Sequence, residues 1–228
     1  MSRARIEAVV FDVNETLFSL DRLRPAFNDA GLDPALVPLW FASVLRDGFA
    51  LTALGDFQPF TAVAAEALRG LDERVDDRAV AAVLGAFREL TPHADVEPAL
   101  RTLRTAGIPT ATLSNGSADG VRVLLDRAGL ARYVSRNLSI DAVHRWKPAS
   151  EPYLYAAAEL GVEPQRLALV AVHPWDCAGA AAAGLKAAWV QRSHPRWPMV
   201  FPTPDVTGAD LAVVVATLLA DRSSSTGV

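Results

Sequence analysis

Side chains able to do chemistry together stand at four places far apart in the chain: Asp12, Ser114 with Asn115, Lys147, and Asp176. Asp12 closes the run Ala8-Val-Val-Phe11, whose lack of polar alternation predicts a strand buried on both faces of a parallel sheet. Ligands of open α/β sheets bind at the carboxyl ends of the strands, where this carboxylate is delivered. Ser114 and Asn115 precede Gly116, and a hydroxyl, an amide and nearby backbone N–H groups suit an anionic group. Lys147 is one of only two lysines against twenty arginines, and a lysine partly buried beside a carboxylate neutralises it. Asp176 brings a second carboxylate. The set describes a site for a small anionic substrate, with an ionised carboxylate held against a cation. Each member also has a plainer reading: Asp12, Ser114 and Asn115 as helix caps, Lys147 as a loop cation fixed in a turn by Pro148.

The elements that must position these residues follow from the apolar periodicity. From Asp21 to about Leu90 helical spacing dominates, with Leu39, Trp40, Val44, Leu45 and Phe49 on one face, then Phe60, Val63, Ala64, Ala67 and Leu68, then Val80, Val83, Leu84 and Phe87. Beyond Thr91-Pro92-His93 the chain alternates. Helices are expected over 96–106, 120–128, 151–160, 176–183 and 209–219, and strands over 108–113, 138–140, 167–172 and 187–190. Such alternation implies a parallel sheet with helices on both faces. The expected organisation is a core of residues 1–17 and 94–228, a helical insert of residues 18–93 lying over the carboxyl edge of the sheet, and a frayed tail over 222–228. An insert in that position suits a cap that forms a substrate pocket and keeps water out.

Composition excludes several function classes. With 228 residues, 51% hydrophobic and 21% charged, the chain reads as an ordinary globular protein rather than a disordered or coiled-coil one. A net charge of −4 with no basic stripe argues against nucleic acid. The lone Cys177 cannot close an intramolecular disulfide, and no signal-peptide h-region precedes the first strand. No apolar run is expected to span a bilayer. The expectation is a cytoplasmic protein without a membrane partner. A homodimer through apolar cap or core helices is compatible with the sequence.

The order Asp12-x-x-x-Thr16, Ser114-Asn115, Lys147-Pro148 and Asp176, with a helical insert after the first, resembles the haloacid dehalogenase superfamily over essentially the whole chain. Leu113-Ser-Asn-Gly-Ser117, Lys147-Pro148 followed by Tyr153, and Trp175-Asp176-x-x-Gly179-Ala180 are most similar to its type II (L-2-)haloacid dehalogenase group. The resemblance implies a Rossmann-like core with an inserted helical cap. It also implies covalent catalysis in which Asp12 is the nucleophile and forms an ester that water cleaves. By the same resemblance Thr16 and Ser114 position by hydrogen bonds, and Asn115 contacts substrate. Lys147 keeps Asp12 ionised, Asp176 pairs with Lys147 and places water, and Tyr153 reaches the same pocket or belongs to the core.

Departures from the pattern matter equally. Superfamily phosphatases place an acid two residues after the nucleophile and a magnesium-binding Asp in the last motif; here those positions read Asn14 and Ala171. An amide cannot supply the leaving-group proton, and a hard cation wants several oxygen ligands, so magnesium is disfavoured and no cofactor is expected. The dehalogenases themselves commonly carry an arginine after Leu-Trp in the cap, where this chain has Phe41; Asn14 replaces their aromatic residue, Glu15 a glycine, and Ala171 and His173 a Ser and an Asn. Arg46 is the candidate substitute for the missing arginine, or else a surface residue. His173, if it faces Asp12, is either a base toward the ester-cleaving water, with a pKa near neutrality, or a buried histidine satisfied by a carbonyl. The expected function is therefore hydrolysis of a small 2-halo carboxylate. The alternatives are a phosphatase-like relative with weak magnesium dependence and a non-catalytic binder of small anions.

Overall fold

The computed structural model describes residues 5–192 and 195–223. In chain order its elements are β1 (Ala8–Phe11), β2 (Phe18–Ser19), α1 (Leu23–Asp29), α2 (Val37–Leu54), α3 (Phe60–Arg69), α4 (Asp77–Ala86), β3 (Thr91–Pro92), α5 (Val96–Thr105), β4 (Thr110–Ser114), α6 (Ala118–Arg127), β5 (Arg136–Ser139), α7 (Ser150–Leu160), β6 (Leu167–Ala171), α8 (Pro174–Ala182), β7 (Lys186–Val190), β8 (Val206–Gly208) and α9 (Leu211–Ser223). Six of the strands form one sheet in the order β5-β4-β1-β6-β7-β8, with every pairing parallel.

Chain order reverses direction at β1, which has β4 on one side and β6 on the other. That is the topological switch point at which an open α/β sheet leaves a crevice beyond its strand ends. Alternation along β1 builds the two layers. Val9 and Phe11 enter the apolar cluster on one face, and Ala8 and Val10 enter the cluster on the other.

The strand ends lie close to the expected positions. Ser114 belongs to β4 itself, and α6 starts after Ser117, whose side chain accepts from the Gly120 N–H. The sixth strand, β8, was not expected. It is three residues long and follows Pro198, Pro202 and Pro204, which read as loop. The C-terminal helix runs to Ser223; residues 224–228, the rest of the expected tail, lie outside the described residues, as do 1–4.

The segment between β1 and α5 is helical, as its periodicity predicts, and two short strands close its base. Phe18 pairs with Pro92 and Ser19 with Thr91, antiparallel. Within α2, Trp40, Phe41, Val44, Leu45 and Gly48 are buried, while Leu39, expected on the same face, is 56% exposed. One expectation about this helix fails. Pro34–Leu54, 21 residues with mean hydropathy 1.2, is long and apolar enough to cross a bilayer by length and composition alone. In the fold, however, it buries one face, with Trp40 and Val44 fully enclosed in the apolar cluster that also holds Phe11 of β1.

At Gly48 the backbone of α2 lies against Trp146. A Cβ built there would lie 2.3 Å from Cε3 of Trp146. Trp146 is wholly buried, with its backbone N–H donating to Thr52 Oγ1 at 3.0 Å and its indole N–H to the Gln58 carbonyl at 3.0 Å. Gly48→Ala gains up to about 1 kcal/mol of helix propensity, but it overpacks a ring that has no room to retreat, at a cost of about 1–3 kcal/mol. The expected result is net destabilisation in urea unfolding, together with reduced activity, because Lys147 follows Trp146 directly.

Candidate active site

The carboxyl ends of β1, β4 and β6 deliver Asp12, Ser114-Asn115 and His173 to one place, and the loop after β5 brings Lys147. Lys147 is fully buried. Its Nζ donates to Asp12 Oδ1 at 2.9 Å, to Asp176 Oδ2 at 2.6 Å and to the Leu113 carbonyl at 3.0 Å, so all three of its N–H donors are used. Thr16 Oγ1 donates to Asp12 Oδ2 at 2.6 Å and itself accepts from the Val172 N–H at 3.1 Å, which fixes its rotor. Asn115 Oδ1 accepts from the Lys147 backbone N–H at 3.1 Å. Asn115 is thus seen to position the lysine. These contacts join Asp12, Thr16, Asn115, Lys147 and Asp176, whereas the Ser114 hydroxyl is engaged by the Gly116 N–H.

Burial is the largest influence on Asp12 and would raise its pKa. Lys147, His173 and Thr16 together overcome it and hold the carboxyl below the usual carboxylate range. Burial likewise works against the Lys147 ammonium, but Asp12 and Asp176 outweigh it and raise its pKa. Asp176 shows the opposite balance from Asp12: burial and the neighbouring Asp12 charge raise it despite Lys147 and Tyr153. Of the two carboxylates, Asp12 is therefore the firmly ionised one.

Tyr153 is wholly buried behind Asp176, to whose Oδ1 its hydroxyl donates at 2.6 Å. Burial and Asp176 push its pKa well above the ordinary value, so it remains a phenol donor. Of the two readings open for it, pocket or core, this burial fits the core one, with a contact to the second carboxylate. Arg46 is not brought to the site either. Its side chain is 71% exposed and ion-paired with Asp47 at 2.7 Å. It sits outside the buried i, i+4 stripe of α2, so the surface reading holds. Phe41, by contrast, is buried, with its ring centroid 6.4 Å from that of His173.

His173 does face Asp12. Its Nδ1 lies 3.3 Å from Asp12 Oδ2, and its Nε2 lies 2.8 Å from Glu15 Oε2. The first is an ion-pair distance at which no aligned hydrogen bond is completed. Burial, the largest influence, opposes the imidazolium, yet the two carboxylates prevail and lift the pKa to about 9. The expected near-neutral base is therefore a cation in the resting protein. Among the described residues its one side-chain hydrogen-bond partner is the Glu15 carboxylate, rather than a carbonyl. Trp175 stacks on its ring at 5.2 Å.

Glu15 was noted in the sequence only as a departure, and its role was missed. Its φ of +63° is the left-handed conformation that glycine adopts freely and other residues at a cost, which fits the glycine that the resemblance places there. The only sequence signal was an acidic residue three positions after Asp12, next to a histidine that cannot be seen as its neighbour without the fold.

A cleft of about 370 Å³ is lined by Val13, Asn14 and Ser114 from the core and by Phe60, Leu84 and Phe87 of the helical insert. Asn14 thus reaches the cleft, and Ser114, whose hydroxyl accepts from the Gly116 N–H at 2.8 Å, borders it. Among the described residues no three acid, histidine or cysteine side chains group as a metal-holding set. Asp12 already bears a cation on each side, and Ala171 offers no ligand, so this donor set does not fit a magnesium ion.

Relatives share this arrangement of elements over nearly the whole chain. The (S)-2-haloacid dehalogenase 1 of Pseudomonas sp. (strain CBS-3) is 30% identical over 82% of this chain and 85% of its own. The (S)-2-haloacid dehalogenase of Pseudomonas sp. (strain YL) is 28% identical over 92% and 93%. Among solved structures, the L-2-haloacid dehalogenase of Xanthobacter autotrophicus with chloropropionic acid covalently bound superposes with a TM-score of 0.86 at 25% identity, covering 94% of this chain and 98% of that one. The family model described as haloacid dehalogenase-like hydrolase matches residues 6–184. With the sheet order, the helical insert and that match in agreement, the chain belongs to the haloacid dehalogenase-like hydrolase family.

Proposed function

We propose that this protein hydrolyses the carbon–halogen bond of a small 2-halo carboxylate, with Asp12 as nucleophile and without a metal ion. The observation that carries the reading is the grip on Asp12. A buried carboxylate attacks carbon only if it is kept ionised and stripped of water, and Lys147 at 2.9 Å with Thr16 at 2.6 Å does both. In the first step an Asp12 oxygen bonds to C2 of the substrate as the C–halogen bond breaks and halide leaves. A halide needs no proton, so Asn14 in place of an acid is no handicap. In the second step water cleaves the Asp12 ester and frees the hydroxy acid. Asp176 holds Lys147 in register, with Tyr153 behind it. The helical insert of residues 18–93 acts as the cap, and the substrate carboxylate lies toward Asn14 and Ser114 in the cleft.

The test is product analysis over a small panel: 2-chloropropanoate, bromoacetate, and p-nitrophenyl phosphate as the phosphatase probe, each with and without EDTA. Halide release indifferent to the chelator is the expected result. Phosphate release that EDTA abolishes would replace this reading with the phosphatase one.

A further inference from the structure

We propose that the cleft lined from α3, α4 and α6 binds an alkyl chain, and that the preferred substrate is a 2-halo acid with an apolar tail, about six to eight carbons in all. The proposal rests on the Asp12 chemistry of the preceding reading and adds to it the size and polarity of what Asp12 acts on.

Residues next to the nucleophile in the chain line this cleft: Val13 and Asn14 follow Asp12 directly, and Ser114 ends β4. Most of its larger side chains are apolar, namely Phe60 of α3, Leu84 of α4, Phe87, and Val121 and Leu124 of α6. The aromatic part of the wall is held in place. Phe60 packs edge-on to Phe87 with ring centroids 5.4 Å apart and stacks on Trp146 at 6.0 Å. Trp146 in turn precedes Lys147, which grips Asp12. Arg88, the one charged residue among those that line the cleft, is exposed. No buried cation there calls for a second carboxylate on the tail.

Volume sets the length of the chain. At a water's ~30 Å³ apiece, the 370 Å³ of the cleft has room for about twelve non-hydrogen atoms. 2-Chloropropanoate supplies about half that number and would leave much of the wall bare. Leu84 and Phe87 are only partly buried in the free protein. An alkyl chain laid against them removes apolar surface from water, which is worth about fourfold in affinity per buried methylene. Gly85 keeps the space open, since a Cβ built there meets no atom within 4 Å. The chemistry at C2 is that of any shorter acid: an Asp12 oxygen displaces halide, and water frees the 2-hydroxy acid and a proton with the tail intact. The tail contributes binding, which enters kcat/KM.

The experiment measures kcat/KM for bromide release from 2-bromopropanoate, 2-bromohexanoate and 2-bromooctanoate, with the wild-type protein and with Gly85→Leu, whose side chain fills the cleft from α4. In the wild type, the step from propanoate to hexanoate should raise kcat/KM on the order of 10-fold, chiefly through a lower KM. In Gly85→Leu the ratio of hexanoate to propanoate should fall by a similar factor, on the order of 10-fold. Leucine is the better helix former, so a urea midpoint at or above the wild-type one reports a folded variant. Should Gly85→Leu not fold, the wild-type chain-length series decides alone. A wild-type kcat/KM that is flat or falls from propanoate to hexanoate, or a folded Gly85→Leu that keeps the wild-type ratio, overturns the proposal and leaves the Asp12 reading standing. Bromide release from none of the three acids overturns both.

Discussion

Asp12→Asn is expected to lose halide release by a factor on the order of 10⁴–10⁶ while the protein stays folded. An amide oxygen is a poor nucleophile, and nothing adjacent replaces it, because Asp176 is turned away onto Lys147 and Tyr153. The fold should survive, since Thr16 still has an oxygen to donate to and the neighbouring elements are held by two apolar layers. A stability loss of about 1–3 kcal/mol is expected, from setting an amide NH₂ or an unmatched oxygen against the Lys147 ammonium. Rate and thermal unfolding should be measured side by side, with isothermal titration of the unreactive product lactate. Loss of turnover with lactate binding kept marks Asp12 as the reacting group. Full retention of halide release would remove the nucleophile and with it the proposed chemistry.

The second large effect falls on stability. Lys147→Met keeps most of the volume of a fully buried side chain but deletes the only ammonium between Asp12 and Asp176. Breaking a buried pair from one side costs about 3–5 kcal/mol, because the partner charge is left in a medium that cannot solvate it. The site can respond only by taking up a proton. The sign follows from the depressed Asp12 pKa: its contribution is present above the unfolded carboxyl value and is lost as pH falls. Without Lys147 the acid limb of the kcat profile should therefore move upward, and urea midpoints should fall most near neutral pH. Adding Asp176→Asn to Lys147→Met should recover part of the loss, since one of the two stranded anions is gone, and a double-mutant cycle measures the coupling. Lys147→Arg should not substitute, because a planar guanidinium cannot aim at three acceptors arranged around a point charge.

How much of this was readable beforehand depended on whether the information was local. The run into Asp12 predicted β1 because a strand covered on both faces needs no polar alternation, and α5 onward could be parsed because helices and strands take turns. The β8 strand could not be seen, since three residues among prolines carry too little pattern. Site residues at strand ends were legible for the same topological reason: a parallel sheet sends every carboxyl end to one side. Side-chain direction was not. Tyr153 and Arg46 each stood at a plausible place in the sequence, but one points back into the core and the other out to solvent, which rotation about a helix axis decides and composition does not. The Glu15–His173 contact spans 158 positions and depends on a left-handed backbone angle, a property a residue name discloses only when that residue is glycine.

The inserted helices share one apolar cluster with the sheet. Phe11 of β1, Phe27 of α1, Trp40 of α2, Val63 of α3 and Trp146 beside Lys147 all belong to it. Helices rooted that deeply are not an exchangeable attachment. Retuning the site for another substrate is therefore confined to repainting the wall of a fixed chamber, one side chain at a time, with Phe60, Leu84 and Phe87 as the surfaces to change.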